Sequence, residues 1–296
     1  MVKLADTTKT CAMTNFIVPI DFSVDSLKGL EWALLYSRKM PINIQMVYVL
    51  TRGSNLLPSE VEAEHRIAQD QFEELIKEHS AQLGKDSKLK YIIKRGKVYR
   101  EVVNQVNSFE NAVISSSTHG ASGFEELFIG SNALKIMAAT EQPVFTIRHG
   151  PVPSDIKKIV VPIKLEPDTR QKTPIAGDIA HLFGAELHVI NITSSKNKKD
   201  QERLESYGKQ VINFFKARDL KTVSKTLVGE SMPDVTCNYA EAVDADLITI
   251  MSGAIDKLNV FFGSYAQQMV NKANVPLLSI TPSEKKVDSV FRITGG

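Results

Sequence analysis

The chain has 296 residues, 43% of them hydrophobic and 24% charged, with 36 Lys and Arg against 34 Asp and Glu for a formal net charge of +2. That length accommodates two domains of ordinary size, and the apolar content lets each bury its own core. The near balance of charge gives no electrostatic case for a nucleic-acid or membrane partner, and no apolar run approaches the length of a membrane span.

In chain order, the opening residues MVKLADTTKTCAMT lack the apolar segment of a signal peptide, and the first fifteen or so residues are expected to be poorly ordered. Short β-rich runs then alternate with longer helical patterns. Strands are expected at 16–20, 44–50, 89–94, 111–116 and 143–148, with helices at 23–39, 58–83, 97–108 and 131–140 between them. Leu27, Leu30, Ala33, Leu34 and Tyr36 recur near a 3.6-residue period in the first helix. Trp32 in the same helix is expected in the core. A connector at 148–158, stiffened by Pro151 and Pro153, leads to strands near 157–163, 185–192, 222–228, 245–250 and 275–280. Runs such as FIVPI and NAVIS are apolar on both faces, as strands of a covered parallel sheet must be. Alternation of this kind predicts an α/β, doubly wound fold. The Lys/Glu-rich stretches 60–90 and 196–218 read as solvated helix faces, and the tail from Ser283 as a poorly ordered extension.

The second half repeats the first. FIVPID at 16–21 returns as IVVPIK at 159–164, and AVISSSTHGASGFEELFIGS at 112–131 returns as LITIMSGAIDKLNVFFGS at 247–264. Two tandem domains are therefore expected, at 15–149 and 156–282. Cys11 and Cys237 have neither metal-ligand nor C-x-x-C spacing, and read as free thiols of a reducing compartment, which makes the cytoplasm the expected location.

Ligands of an open parallel sheet bind beyond the carboxyl ends of its strands, near a switch in strand order. After the first strand stands Asp21, a carboxylate able to accept hydrogen bonds from a ribose hydroxyl or an adenine amine. Helix capping with Ser23 as N-cap is the structural alternative for this segment. After the fourth strand comes Ser115-Ser116-Ser117-Thr118-His119-Gly120, then Gly130-Ser131-Asn132 opening a helix. A helix N-terminus presents unpaired N–H groups and a positive dipole end, which suit phosphate, and glycine permits close backbone approach. The six histidines form no H-E-x-x-H set, and the chain has neither a G-x-S-x-G elbow nor a G-x4-G-K-[ST] loop. No catalytic residue and no metal ligand stand out.

On these residues the chain resembles the universal stress protein family, in a tandem form covering almost all of 15–282. Nucleotide-binding members of that family carry G-x2-G-x9-G-[ST] and an Asp after the first strand. The first half reads Ser117-x2-Gly120-x9-Gly130-Ser131 with Asp21 in place, so only the first glycine departs. The resemblance implies two five-stranded parallel sheets of order 3-2-1-4-5, paired through their last strands as an intramolecular pseudo-dimer, with room for a further weak homodimer. It implies adenine held near Pro19, Asp21 and the backbone of Val49, with Ser117, His119, Gly120, Gly130, Ser131 and Asn132 around the ribose and phosphates. ATP is the expected ligand, ADP or AMP the alternatives, and Mg2+ could accompany ATP. Ser117 puts a Cβ where the family has none, and weakened rather than abolished binding is expected. In the second half Lys164 replaces the Asp and Ile250 the first glycine, while Gly253-x9-Gly263-Ser264 survives. A helix start near Thr173-Pro174 lengthens the loop after Lys164. That half is expected not to bind ATP, although Lys164 could attract a phosphate or carboxylate. The implied function is that of a stress-response regulator acting on an unidentified protein partner, not a catalyst, with slow ATP hydrolysis left open. The alternative is an interaction or scaffold protein that binds no nucleotide.

Overall fold

The computed structural model describes residues 13–50, 57–117, 131–148, 151–252 and 264–283. The first half runs β1 (Asn15–Pro19), α1 (Val24–Ser37), β2 (Asn43–Leu50), α2 (Pro58–His79), β3 (Lys88–Arg95), α3 (Val98–Val106), β4 (Ala112–Ser117), α4 (Ser131–Ala139) and β5 (Val144–Ile147). The second half repeats the series as β6 (Lys158–Ile163), α5 (Thr173–Phe183), β7 (Glu186–Thr193), α6 (Lys198–Lys216), β8 (Thr222–Val228), α7 (Met232–Ala242), β9 (Leu247–Met251), α8 (Ser264–Lys272) and β10 (Leu277–Ile280). Together the strands form one ten-stranded sheet, β3-β2-β1-β4-β5-β10-β9-β6-β7-β8. Each half is parallel in the order 3-2-1-4-5. The two meet where β5 and β10 pair antiparallel, with Thr146 opposite Leu277, Phe145 opposite Leu278 and Val144 opposite Ser279.

The apolar strands are covered on both faces. On one face α1, α2, α5 and α6 enclose a core that runs through both halves. Phe16, Trp32, Tyr36 and Phe145 gather there, and Tyr36 meets Phe183 of the second half edge to face at 4.9 Å. Aromatic pairs of this geometry contribute roughly 0.5–1.5 kcal/mol beyond their buried area. Trp32 is fully buried, in the core as expected. The opposite face is closed by α3, α4, α7 and α8.

Element ends depart from the sequence reading for local reasons. The helix expected over 58–83 stops at His79, where the Ser80 hydroxyl donates to the Ile76 carbonyl and a short 3-10 turn at Ser80–Gln82 follows. β10 starts at Leu277 rather than 275 because Pro276 has no N–H to give; its carbonyl accepts from Ile248 N at 3.0 Å. β9 starts at Leu247; just before it, Asp246 N donates to the Lys158 carbonyl at 3.0 Å and its carboxylate accepts from the N–H groups of Lys157 (2.7 Å) and Lys158 (2.9 Å). The chain is also engaged beyond the limits expected of its ends: Met13 is buried, and Ser283 is hydrogen-bonded to Gln171 through both its N–H and its carbonyl. Residues 1–12 and 284–296 lie outside the described set.

Helix α1 lies so close to β4 that Gly29 has no room for a side chain. A Cβ there would stand 2.5 Å from the Ser115 carbonyl oxygen, while Ser115 Oγ donates to the Gly29 carbonyl at 2.8 Å. Gly29→Ala is therefore expected to lower stability by roughly 1–3 kcal/mol, since overpacking must push the helix off the sheet. Urea unfolding measures this; an unchanged midpoint would show that the contact is looser than described.

Candidate functional site

The strand order reverses direction at β1, which pairs with β2 on one side and β4 on the other. The crevice of the first half therefore opens beyond the carboxyl ends of β1 and β4. Pro19 ends β1 and is half-buried; Val49 lies one residue from the end of β2, buried, in register with Lys94 of β3; Ser117 ends β4, 8% exposed. Helix α4 opens at Ser131, with Asn132 exposed. The fold thus gathers Pro19, Asp21, Val49, Ser117 and the start of α4 at one edge of the sheet. His119, Gly120 and Gly130 lie outside the described residues, as does the Ser131 side chain.

Asp21 is exposed at the rim. Its Oδ1 accepts from Ser23 N at 3.1 Å and from Ser23 Oγ at 2.5 Å. Ser23 also caps α1, its Oγ accepting from Ser26 N at 3.2 Å. The turn is a helix cap, and the cap fixes where the carboxylate stands. Between them Phe22 adopts a left-handed backbone with φ of 63°. That conformation costs a bulky residue roughly 1–2 kcal/mol. The ring offsets it by packing on Tyr48 at 5.1 Å and Phe72 at 4.8 Å.

In the second half a longer segment follows the first strand. Where Asp21, Phe22 and Ser23 suffice in the first half, residues 164–172 intervene. They form a 3-10 turn at Pro167–Arg170 that rests against both β6 and β9. Thr169 is buried within it and accepts from Lys164 N at 3.0 Å. Lys164, the cation expected to be able to attract a phosphate or carboxylate, has internal partners in this structure. Its Nζ is 3.0 Å from Glu166 Oε1 and 4.6 Å from the centroid of the Tyr265 ring, so its charge is taken up internally. Burial pushes the Glu166 carboxyl up, but the Lys164 ammonium outweighs it and holds the group below its ordinary value. Tyr265 is buried, its OH 3.1 Å from Thr236 Oγ1, and burial pushes its phenol up. Ile250 is buried within β9, in register with Ser279. Gly253 and Gly263 lie outside the described residues.

Glu166, Lys172 and Tyr265 were not singled out in the sequence. Tyr265 could have been, because it follows Gly-Ser in the second copy as Asn132 does in the first. Among the described residues no group of three His, Cys, Asp or Glu side chains could hold a metal ion, and no helix is long and apolar enough to cross a membrane.

Lys172 is 2% exposed, and its Nζ donates to the carbonyl and the hydroxyl of Thr169. Burial, and then the neighbouring Lys164, pull its ammonium from 10.5 down to about 7, against the weaker opposing pull of Asp168 and Glu166. Between those two values the unfolded chain holds a proton that the folded chain lacks. Lys172 therefore makes stability rise as pH goes from about 7 toward 10.5 and contributes no slope below 7. Lys172→Met is expected to raise the melting temperature more at pH 7 than at pH 10. An equal gain at both pH values would contradict a neutral buried amine.

The model of the universal stress protein family matches the chain twice, at residues 13–148 and 155–280. No curated protein matches it. Among solved structures, a universal stress protein from Archaeoglobus fulgidus DSM 4304 is 18% identical, with a TM-score of 0.73 over 93% of this chain and 98% of that one. A putative universal stress protein from Pseudomonas aeruginosa UCBPP-PA14 is 16% identical, with a TM-score of 0.62 over 92% and 95%. Both likenesses are to the fold. A shorter match is the universal stress protein from Archaeoglobus fulgidus in complex with dAMP, 22% identical over 43% of this chain and 98% of that one, TM-score 0.36.

Proposed function

This chain belongs to the universal stress protein family, and we propose that its first half binds an adenine nucleotide, ATP by preference, as a signal rather than as a substrate. The observation that carries the reading is the contrast between the two crevices. One keeps an exposed carboxylate at its rim and a helix start with exposed Asn132; the other has Lys164, Tyr265 and a packed 3-10 turn in the corresponding place. In this reading Asp21, held by Ser23, accepts hydrogen bonds from the nucleoside. Pro19 and the backbone of Val49 border the adenine. Ser117, His119, Gly120, Gly130, Ser131 and Asn132 surround the ribose and phosphates, where the start of α4 supplies N–H donors and its positive dipole end. Mg2+, if it comes, comes with the triphosphate. The nucleotide then biases a conformational or partner equilibrium to the extent that it binds one state better than the other.

A second reading, a scaffold that binds no nucleotide, is favoured by Ser117, whose side chain is buried at the end of β4 where close backbone approach would be needed.

Denaturing the purified protein and identifying any released nucleotide by mass spectrometry tests the two against each other. In calorimetric titration with ATP, Asp21→Ala is expected to weaken binding by roughly 0.5–1.5 kcal/mol, a factor of about 2 to 13. Gly130→Val is expected to be worse, because a branched side chain would crowd the helix start. Ser117→Gly should leave affinity level or raise it. Absence of binding by both the natural chain and Ser117→Gly would favour the scaffold; loss of affinity in Ser117→Gly alone would make the hydroxyl a ligand contact.

A further inference from the structure

The repeat provides an internal control for a second feature that the nucleotide reading leaves unused. Residues 88–100, KLKYIIKRGKVYR, carry Lys88, Lys90, Lys94, Arg95, Lys97 and Arg100 and no acid, six positive charges. The equivalent residues of the second half, 221–233, KTVSKTLVGESMP, carry Lys221 and Lys225 against Glu230, which is 2 minus 1, or +1. The whole chain has a net charge of +2, so everything outside 88–100 sums to 2 minus 6, or −4. The near-neutral total conceals one concentrated patch.

Its position is specific. The patch comprises β3, the turn at Gly96 and the first residues of α3. Among the described residues β3 is the end strand of the ten-stranded sheet, paired only with β2, and one edge of its main chain faces no described strand. Lys88, Lys90 and Lys94 share the face of β3 toward α3, by the two-residue period of the strand. Lys88, Lys90, Arg95, Lys97 and Arg100 are exposed, and none of the six makes an ion pair with a described residue. Arg100 instead lies on Tyr99, its Nε donating to the phenol oxygen at 3.0 Å. The nearest carboxylate in sequence, Glu101, turns to Gly96: a Cβ there would be 3.0 Å from its Oε1.

Lysines on an end strand commonly serve to discourage edge-to-edge aggregation. That explanation does not account for six. β8 ends the same sheet on the other side, its valines at 223 and 228 are exposed, and it manages with a net charge of +1. We propose that β3 is a docking edge for an extended acidic segment of a partner protein, which adds as a further strand while its carboxylates meet Lys88, Lys90, Lys94, Arg95, Lys97 and Arg100. An open strand edge supplies main-chain hydrogen bonds, and charge on alternate residues supplies selection. An acidic extended peptide uses both; a nucleic acid would use the charge alone.

The test needs no nucleotide and so stands or falls apart from the reading of the crevice. A short fluorescent peptide alternating glutamate and valine is titrated with the full chain by anisotropy, beside a glutamate–proline peptide of equal charge and a single-stranded oligonucleotide of equal charge. The expected result is binding of the glutamate–valine peptide that weakens with salt and protects β3 amides from hydrogen exchange. The proline peptide, unable to complete a strand ladder, should bind roughly tenfold less tightly. Lys90→Glu with Lys94→Glu should weaken binding by about tenfold; Lys97→Gln with Arg100→Gln, outside the strand, should weaken it less while leaving the strand intact. Lys225→Glu in β8 should change nothing. Equal affinity for the two peptides, tighter binding of the oligonucleotide, no binding of the glutamate–valine peptide, or indifference to both double substitutions would overturn the proposal.

Discussion

The antiparallel pairing of β5 with β10 is the contact on which everything else rests. Each strand is only four residues long, and together they turn two five-stranded sheets into one. Left unpaired, either strand would be an apolar edge open to aggregation. Paired, they put the two halves in mirrored roles across an approximate two-fold relation. Arg148 and Thr281, each the first residue beyond its last strand, illustrate this. Arg148 Nη1 donates to the Asn271 carbonyl in α8 at 2.8 Å, and Thr281 Oγ1 donates to the Thr140 carbonyl just past α4 at 3.1 Å. Each half thus ties its end to the last helix of the other. The packing of Tyr36 on Phe183 extends the same junction into the core.

With the scaffold duplicated, the differences between the halves are differences of side chain and loop. Two of them matter. The first crevice keeps a three-residue turn in which Ser23 holds an exposed Asp21, at the expense of a left-handed Phe22. The second has a longer loop that folds inward, and it does so at a cost. A fully buried lysine is unfavourable unless it loses its charge, and Lys172 sits at the start of α5, where a positive charge opposes the helix dipole. What offsets this is a closed set of partners: Thr169 for Lys172, and Glu166 with the Tyr265 ring for Lys164. The charge asymmetry between β3 and β8 is of the same kind, one backbone carrying two different surfaces.

Much of this was legible in the sequence because it was written twice. Repeated segments such as FIVPID and IVVPIK marked two tandem copies, the resemblance to the family implied the strand order and the last-strand pairing, and the Gly-Ser pairs marked the starts of α4 and α8. The helix start at Thr173 was legible from Pro174. The interior of the second crevice was not. The partners of Lys164 were not legible because they are set by tertiary structure: Glu166 belongs to a turn that folds back, and Tyr265 lies about a hundred residues further on. Nor does any periodicity reveal that Lys172 is buried, since lysine is ordinarily exposed. Strand ends were misplaced by one or two residues, in β10 because Pro276 has no N–H to give to the ladder.

The central proposal is that the first crevice binds nucleotide and that residues 164–172 keep the second from doing so. A crystal structure of the chain grown with ATP tests it most directly. The account predicts nucleotide density in the first half alone, with the adenine beside Asp21 and the phosphates at the start of α4, and an unchanged Lys164–Glu166–Tyr265 set in the second. Nucleotide in the second half, with the 164–172 turn displaced from β6 and β9, would contradict it.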